Sequence, residues 1–180
     1  MVHKLEENLI WIEDTCSVYG VKSGGKTLLI DCGTDLCVDA TVVNVDCVLL
    51  THFHRDQCSS VCHWQQDGAE IFIPAAECRY LEEADVQRAA HYLYDNYSAY
   101  YPGFGPLQDV RDAKTARDYE TIEWQGMGFE VVPLPGHTFG QAGYLFEIDG
   151  TRCLACGDLM AAPGKLGEYY WLQWQYMDFQ

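Results

Sequence analysis

The sequence predicts a mixed α/β (α+β) domain in which sheets are covered by helices, and three observations lead there. Apolar and alternating runs fall into two blocks, one before residue 75 and one after residue 128. A long window of good helix formers separates the blocks. Paired turn residues, Gly24-Gly25 and Asp149-Gly150, join neighbouring runs as they would in hairpins.

In chain order, "NLIWIED", "CSVYGVKS" and "KTLLIDCG" read as strands, the last two joined across Gly24-Gly25. "VDCVLL", ending at Thr51, is a continuous apolar run and suits a strand buried on both faces. "AEIFIP" is a further strand, stopped by Pro74. From Ala76 to Tyr100, apolar residues such as Leu81, Ala84, Leu93 and Tyr97 among helix formers predict one continuous helix, with "PGFGP" ending it. A polar stretch runs to Glu120. Strands resume at "FEVVPLP", "AGYLFEIDG" and "TRCLACGD", and an aromatic tail, "GEYYWLQWQYMDFQ", closes the chain. With no repeat, low-complexity tract or linker, residues 1–180 read as a single domain.

Composition narrows the function classes. Eleven Lys+Arg against 27 Asp+Glu give a formal charge of −16, the wrong sign for gripping a phosphate backbone or an anionic membrane. No apolar run approaches the roughly 18 residues of a membrane span, and no leader is apparent at the start. The nine cysteines are an odd number, and several sit in apolar company (Cys47, Cys153, Cys156). They read as free thiols packed as small hydrophobes in a reducing, cytoplasmic setting.

Chemistry concentrates in "LLTHFHRDQC". Side chains two apart on a helix diverge, so His52 and His54 can converge only where the backbone is extended. An extended loop at the carboxyl end of a buried strand is where α/β sheets hold ligands. Two imidazoles with the carboxylate of Asp56 suit a divalent metal of mixed N and O preference: zinc first, then iron or manganese. Two more segments place candidate ligands at strand ends, His137 in "PLPGHTFGQAGY" and Asp158 in "CGDLM". Each is weak alone; the joint pattern is strong.

The ordered set "LLIDCGT", "THFHRDQ", "PGHTFGQAGY" and "CGD" resembles the metallo-β-lactamase-like superfamily of metallohydrolases, over roughly residues 9 to 160. The resemblance implies an αββα sandwich with a metal site at the loop ends of its two sheets. By that resemblance His52, His54 and His137 would hold the first metal, Asp158 would bridge, and Asp56 would belong to the second metal; in a hydrolytic reading Asp56 would also accept the proton of the attacking water. Asp31 would tether the histidine loop from behind.

The sequence departs from the family pattern twice. Gln57 stands where a histidine for the second metal is usual, and a neutral amide is a poor zinc donor. No histidine follows His137 to supply the family's late ligand; of the others, His3 lies near the terminus, His63 past the metal loop and His91 on the predicted helix. A C-terminally shortened family member is therefore expected, with one metal held tightly and the second weakly or not at all. The aromatic tail around Tyr169, Tyr170, Trp171, Trp174 and Tyr176 is expected to cover the apolar surface that shortening exposes, within the chain or in a second copy.

The function expected is zinc-dependent hydrolysis of a small-molecule substrate, an ester or thioester, by metal-activated hydroxide. Two rivals stand beside it. One is a mononuclear iron oxygenase acting on a thiol-derived substrate; the other is a catalytically inert, truncated metal-binding scaffold.

Overall fold

The computed structural model describes residues 1–34, 36, 42–84, 108–162 and 164–166. The first sheet is seven-stranded, in the order β1 (Val2–Lys4), β2 (Leu9–Glu13), β3 (Ser17–Ser23), β4 (Lys26–Ile30), β5 (Val45–Leu49), β6 (Glu70–Pro74) and β7 (Lys114–Ala116). Its first four strands are antiparallel neighbours, whereas β4 to β7 run parallel. The second sheet is antiparallel and comprises β8 (Thr121–Trp124), β9 (Met127–Pro133), β10 (Ala142–Ile148) and β11 (Thr151–Ala155). A short ribbon of β12 (Met160–Ala162) and β13 (Lys165–Leu166) follows.

The two-residue period of strands sorts the central side chains into two cores. Leu28, Ile30, Cys47 and Leu49 point one way, into a core shared with Phe129, Val131, Tyr144 and Phe146 of the second sheet. Leu29, Val48 and Leu50 point the other way, into a core with Val61, Trp64 and Leu81. That second core lies under the short helices α1 (Arg55–Cys58), α2 (Val61–Gln66) and α3 (Cys78–Glu82). Helix, sheet and sheet thus stack as the layers of the sandwich. As expected, β5 is buried on both faces.

Both predicted tight turns form, with left-handed backbone at Gly24 and Gly25 (φ 58° and 78°) and at Asp149 and Gly150 (φ 51° and 79°). Several expectations need correction. The single helix from Ala76 is broken at Glu83 (φ −123°, ψ 62°), because a returning segment captures the backbone groups that would continue it. Val110 N donates to Leu81 O at 3.0 Å, and Ala84 N donates to Asp109 Oδ1 at 3.1 Å. Most of the predicted helix, with His91, lies outside the described residues, as does the aromatic tail. The polar stretch before Glu120 contains β7, and β8 forms a hairpin with β9 across the left-handed residues Gln125 and Gly126. His3 lies in β1, stacked on Trp11 with ring centroids 4.7 Å apart.

The loop ends of the two sheets are fastened to each other beside the histidine loop. Tyr144 Oη donates to Leu50 O at 2.7 Å, and Ala142 N donates to Thr51 O at 3.0 Å. Tyr144 is fully buried, and burial pushes its phenol well above the usual range, so it serves as a neutral donor. Tyr144→Phe strands a buried carbonyl and is expected to cost about 1–3 kcal/mol in denaturant unfolding. An unchanged midpoint would mean the bond is not a fastening.

Candidate metal centre

The chain leaves β4 and β5 side by side, at Asp31 and Thr51, and this pairing orients the first histidine. Asp31 adopts a left-handed backbone (φ 61°), which aspartate tolerates better than most residues. Its buried carboxylate accepts Thr51 N at 2.8 Å (Oδ1) and Thr51 Oγ1 at 2.9 Å (Oδ2). Burial raises its pKa well above the usual carboxylate range, and the Thr51 hydrogen bonds oppose that rise. With Asp31 ionised, the form that its Thr51 hydrogen bonds favour, the Thr51 hydroxyl gives its one proton to that carboxylate. Its oxygen, 3.0 Å from His52 Nδ1, therefore accepts the imidazole N–H. The tautomer follows: the lone pair of His52 lies on Nε2, facing the loop ends.

Three imidazoles converge there. His52 Nε2 lies 3.2 Å from His54 Nδ1, which lies 2.9 Å from His137 Nε2. All three rings are buried. The pKa of His52 is held well below the usual imidazole range, first by burial and then by His54 and His137, so the ring is neutral as a metal ligand must be. His54 has extended φ/ψ (−59°, 148°) immediately before α1 starts, so the two loop histidines meet in the geometry their spacing requires.

The donor set fits a divalent cation. A tetrahedral ion holding imidazole nitrogens at about 2.0–2.1 Å separates them by about 3.3 Å. The separations of 3.2 and 2.9 Å about His54 Nδ1 lie near that figure. Without a cation the crowding has no complete solution, since a proton on His54 Nδ1 serves only one of its two neighbours.

Carboxylates flank the imidazoles. Asp158, on a 3₁₀ turn (Gly157–Leu159) directly after β11, places Oδ2 3.4 Å from His137 Nε2 and 4.0 Å from His52 Nε2. Gly157 is required beneath it. Its backbone is left-handed (φ 53°), and a Cβ there would stand 2.8 Å from Thr51 Oγ1. Asp56, on α1, lies beside Asp158 and His137, and burial and then Asp158 raise its pKa. Neither Asp56 nor Asp158 joins the group of three histidines whose ligand atoms all lie within 4.8 Å of one another.

Gln57 is buried and donates from Nε2 to Asp158 Oδ1 at 3.1 Å. Its side chain also hydrogen-bonds Asp56, lowering the pKa of both carboxylates against the effect of burial. His63 lies away from the centre, paired with Asp67 at 3.6 Å on the exposed face of α2. All eight described cysteines are free.

Two participants went unread in the sequence. Thr51 fixes the His52 tautomer, and its position between a buried strand and the histidines was the available signal. Glu77 contacts both histidine loops and has no local signal, for it sits in a window rich in helix formers.

A family model described as the metallo-beta-lactamase superfamily matches residues 11–177. A hydroxyacylglutathione hydrolase of Aeromonas salmonicida is 26% identical over 161 residues, 88% of this chain and 48% of that protein. Hydroxyacylglutathione hydrolase GloC of Haemophilus influenzae is 28% identical over 104 residues, 57% of this chain and 45% of that protein. The chain thus spans about half the length of the curated relatives it matches. Among solved structures, the FEZ-1 metallo-β-lactamase of Legionella gormanii superposes with a TM-score of 0.71 at 16% identity, covering 99% of this chain and 71% of that one. A metallo-β-lactamase family protein of Thermus thermophilus gives 0.67 at 21% identity, covering 94% and 66%. These likenesses establish the αββα fold. No helix among the described residues is long and apolar enough to cross a membrane.

Thr51→Val keeps the side-chain volume but removes the hydroxyl between Asp31 and His52. Competition with a chromogenic chelator is expected to show zinc binding about 10–100-fold weaker, in a chain that still folds. Unchanged affinity would remove Thr51 from the site.

Proposed function

Because the chain belongs to the metallo-β-lactamase superfamily, we propose that it is a metal-dependent hydrolase holding one zinc ion tightly on His52, His54 and His137. The observation that carries this reading is the meeting of three buried imidazoles from two distant segments, His52 being held neutral. A zinc ion held there would lower the pKa of a bound water from 15.7 toward about 7 and would polarise the oxygen of the group under attack.

The protein's own groups supply the remainder. Asp56 accepts the proton of the attacking water, and its raised pKa brings it nearer the range in which a base is effective close to neutrality. In thioester hydrolysis that proton ends on the departing thiolate while the acyl carbon takes the hydroxyl. Asp158 turns Oδ2 toward the imidazoles, and Gln57 holds its other oxygen from behind.

Gln57 supports a one-metal site. Its amide bonds to Asp56 and Asp158, the carboxylates that a second cation would otherwise draw together. A neutral dipole there stabilises both charges without supplying a good zinc ligand. Zinc content is expected to be close to one per chain, rising toward two in Gln57→His. Two tightly held ions in the unaltered chain would contradict this.

A small ester or thioester is the proposed substrate. Two matched relatives carry the name hydroxyacylglutathione hydrolase, which describes cleavage of an acylated thiol. A cytoplasmic location belongs to the same reading and is supported by the free thiols.

A panel of acyl thioesters and esters tests the activity. His54→Ala is expected to abolish turnover, and Asp56→Asn to lower kcat by about 10²–10⁴-fold while zinc content is kept. Equal inertness of the unaltered chain and His54→Ala would leave only a metal-binding scaffold. Oxygen uptake by the iron-loaded chain on a thiol substrate would favour the oxygenase instead.

A further inference from the structure

Glu77 precedes α3 at its N-cap position but makes no side-chain capping bond to that helix. The residue is buried, and its carboxylate reaches away toward the histidine loops. Oε2 accepts Phe53 N at 3.3 Å, the backbone donor lying between His52 and His54. Oε1 accepts Thr138 Oγ1 at 3.0 Å and Gly140 N at 2.7 Å, both in the loop that carries His137. Gly140 fits closely against this carboxylate: a Cβ there would stand 2.6 Å from Glu77 Oε1 and 2.7 Å from the Ala76 methyl.

We infer that Glu77 is a positioning residue of the metal centre, its single carboxylate clamping the two loops that carry the three imidazoles. The inference rests on the metal reading above and assigns that site a determinant of its geometry. Phe53 is flanked by two of the histidines and Thr138 directly follows the third. The clamp therefore sets how far His137 stands from the pair. The chemistry calls for a carboxylate in particular. Three donors converge on two oxygens, and an amide would offer one oxygen while turning an NH2 against an N–H or O–H already aimed at it. Such a buried mismatch would be relieved by moving one loop, and with it an imidazole.

Cobalt(II) titration of the full chain tests the clamp, because visible absorption reports the coordination geometry independently of turnover. Glu77→Gln is expected to bind cobalt(II) about 10–100-fold more weakly, with a changed absorption band and an unchanged far-ultraviolet circular dichroism spectrum. Thr138→Val, lacking one of the three donors, is expected to lose a smaller part of the affinity, and Thr138→Ser to retain it. A folded Glu77→Gln with unaltered affinity and band would overturn the inference. If Glu77→Gln fails to fold, equal affinities of Thr138→Val and Thr138→Ser would overturn it. Failure of the unaltered chain to bind cobalt(II) would overturn the metal reading and this inference together. Failure confined to the variant comparison would remove the clamp alone.

Discussion

Two imidazole nitrogens 2.9 Å apart, on residues 83 positions apart in the chain, need something positive between them. His52 adds a third nitrogen whose lone pair is directed inward by the Thr51 hydroxyl. A proton can satisfy one such contact, whereas a divalent cation would serve all three nitrogens. The surrounding charge agrees, since Asp31, Asp56 and Asp158 lie around the rings, each with its pKa raised first by burial. A cation would compensate that negative charge.

The sandwich delivers the donors to one place because its strand ends converge there. Asp31 follows β4, Thr51 follows β5 and Asp158 follows β11. Tyr144 and Ala142 hold β10 against the end of β5, so His52 has a fixed relation to the second sheet. Gln141 bonds to Cys156 O at 3.2 Å and so fixes the backbone just before Gly157 and Asp158. Glu77 joins the histidine loops from the helical side. The site is thus supported by hydrogen bonds on several sides, in keeping with the precision that ligand geometry demands.

Much of this was legible in the sequence where the pattern reflects burial or local backbone geometry. The continuous apolar run through Leu49 and Leu50 announced a strand buried on both faces. The H-x-H spacing demanded extended backbone, and His54 has it. What escaped depends on distant partners. The helix break at Glu83 is made by Asp109 and Val110, residues that no local window connects to it. β7 exposes two of its three residues and reads as loop until its backbone pairs with β6. Glu77 looked like one of several acidic helix formers, although its carboxylate belongs to loops 24 and 61 residues away. Gln57 was legible as a departure, while its bonds to Asp56 and Asp158 emerged only from the fold.

Anomalous diffraction from crystals grown with zinc, recorded on both sides of the zinc absorption edge, addresses the shared cation most directly. A single strong peak bounded by His52 Nε2, His54 Nδ1 and His137 Nε2 is the predicted result. A map with no peak among those three nitrogens, or with zinc bound only elsewhere on the chain, would contradict the account.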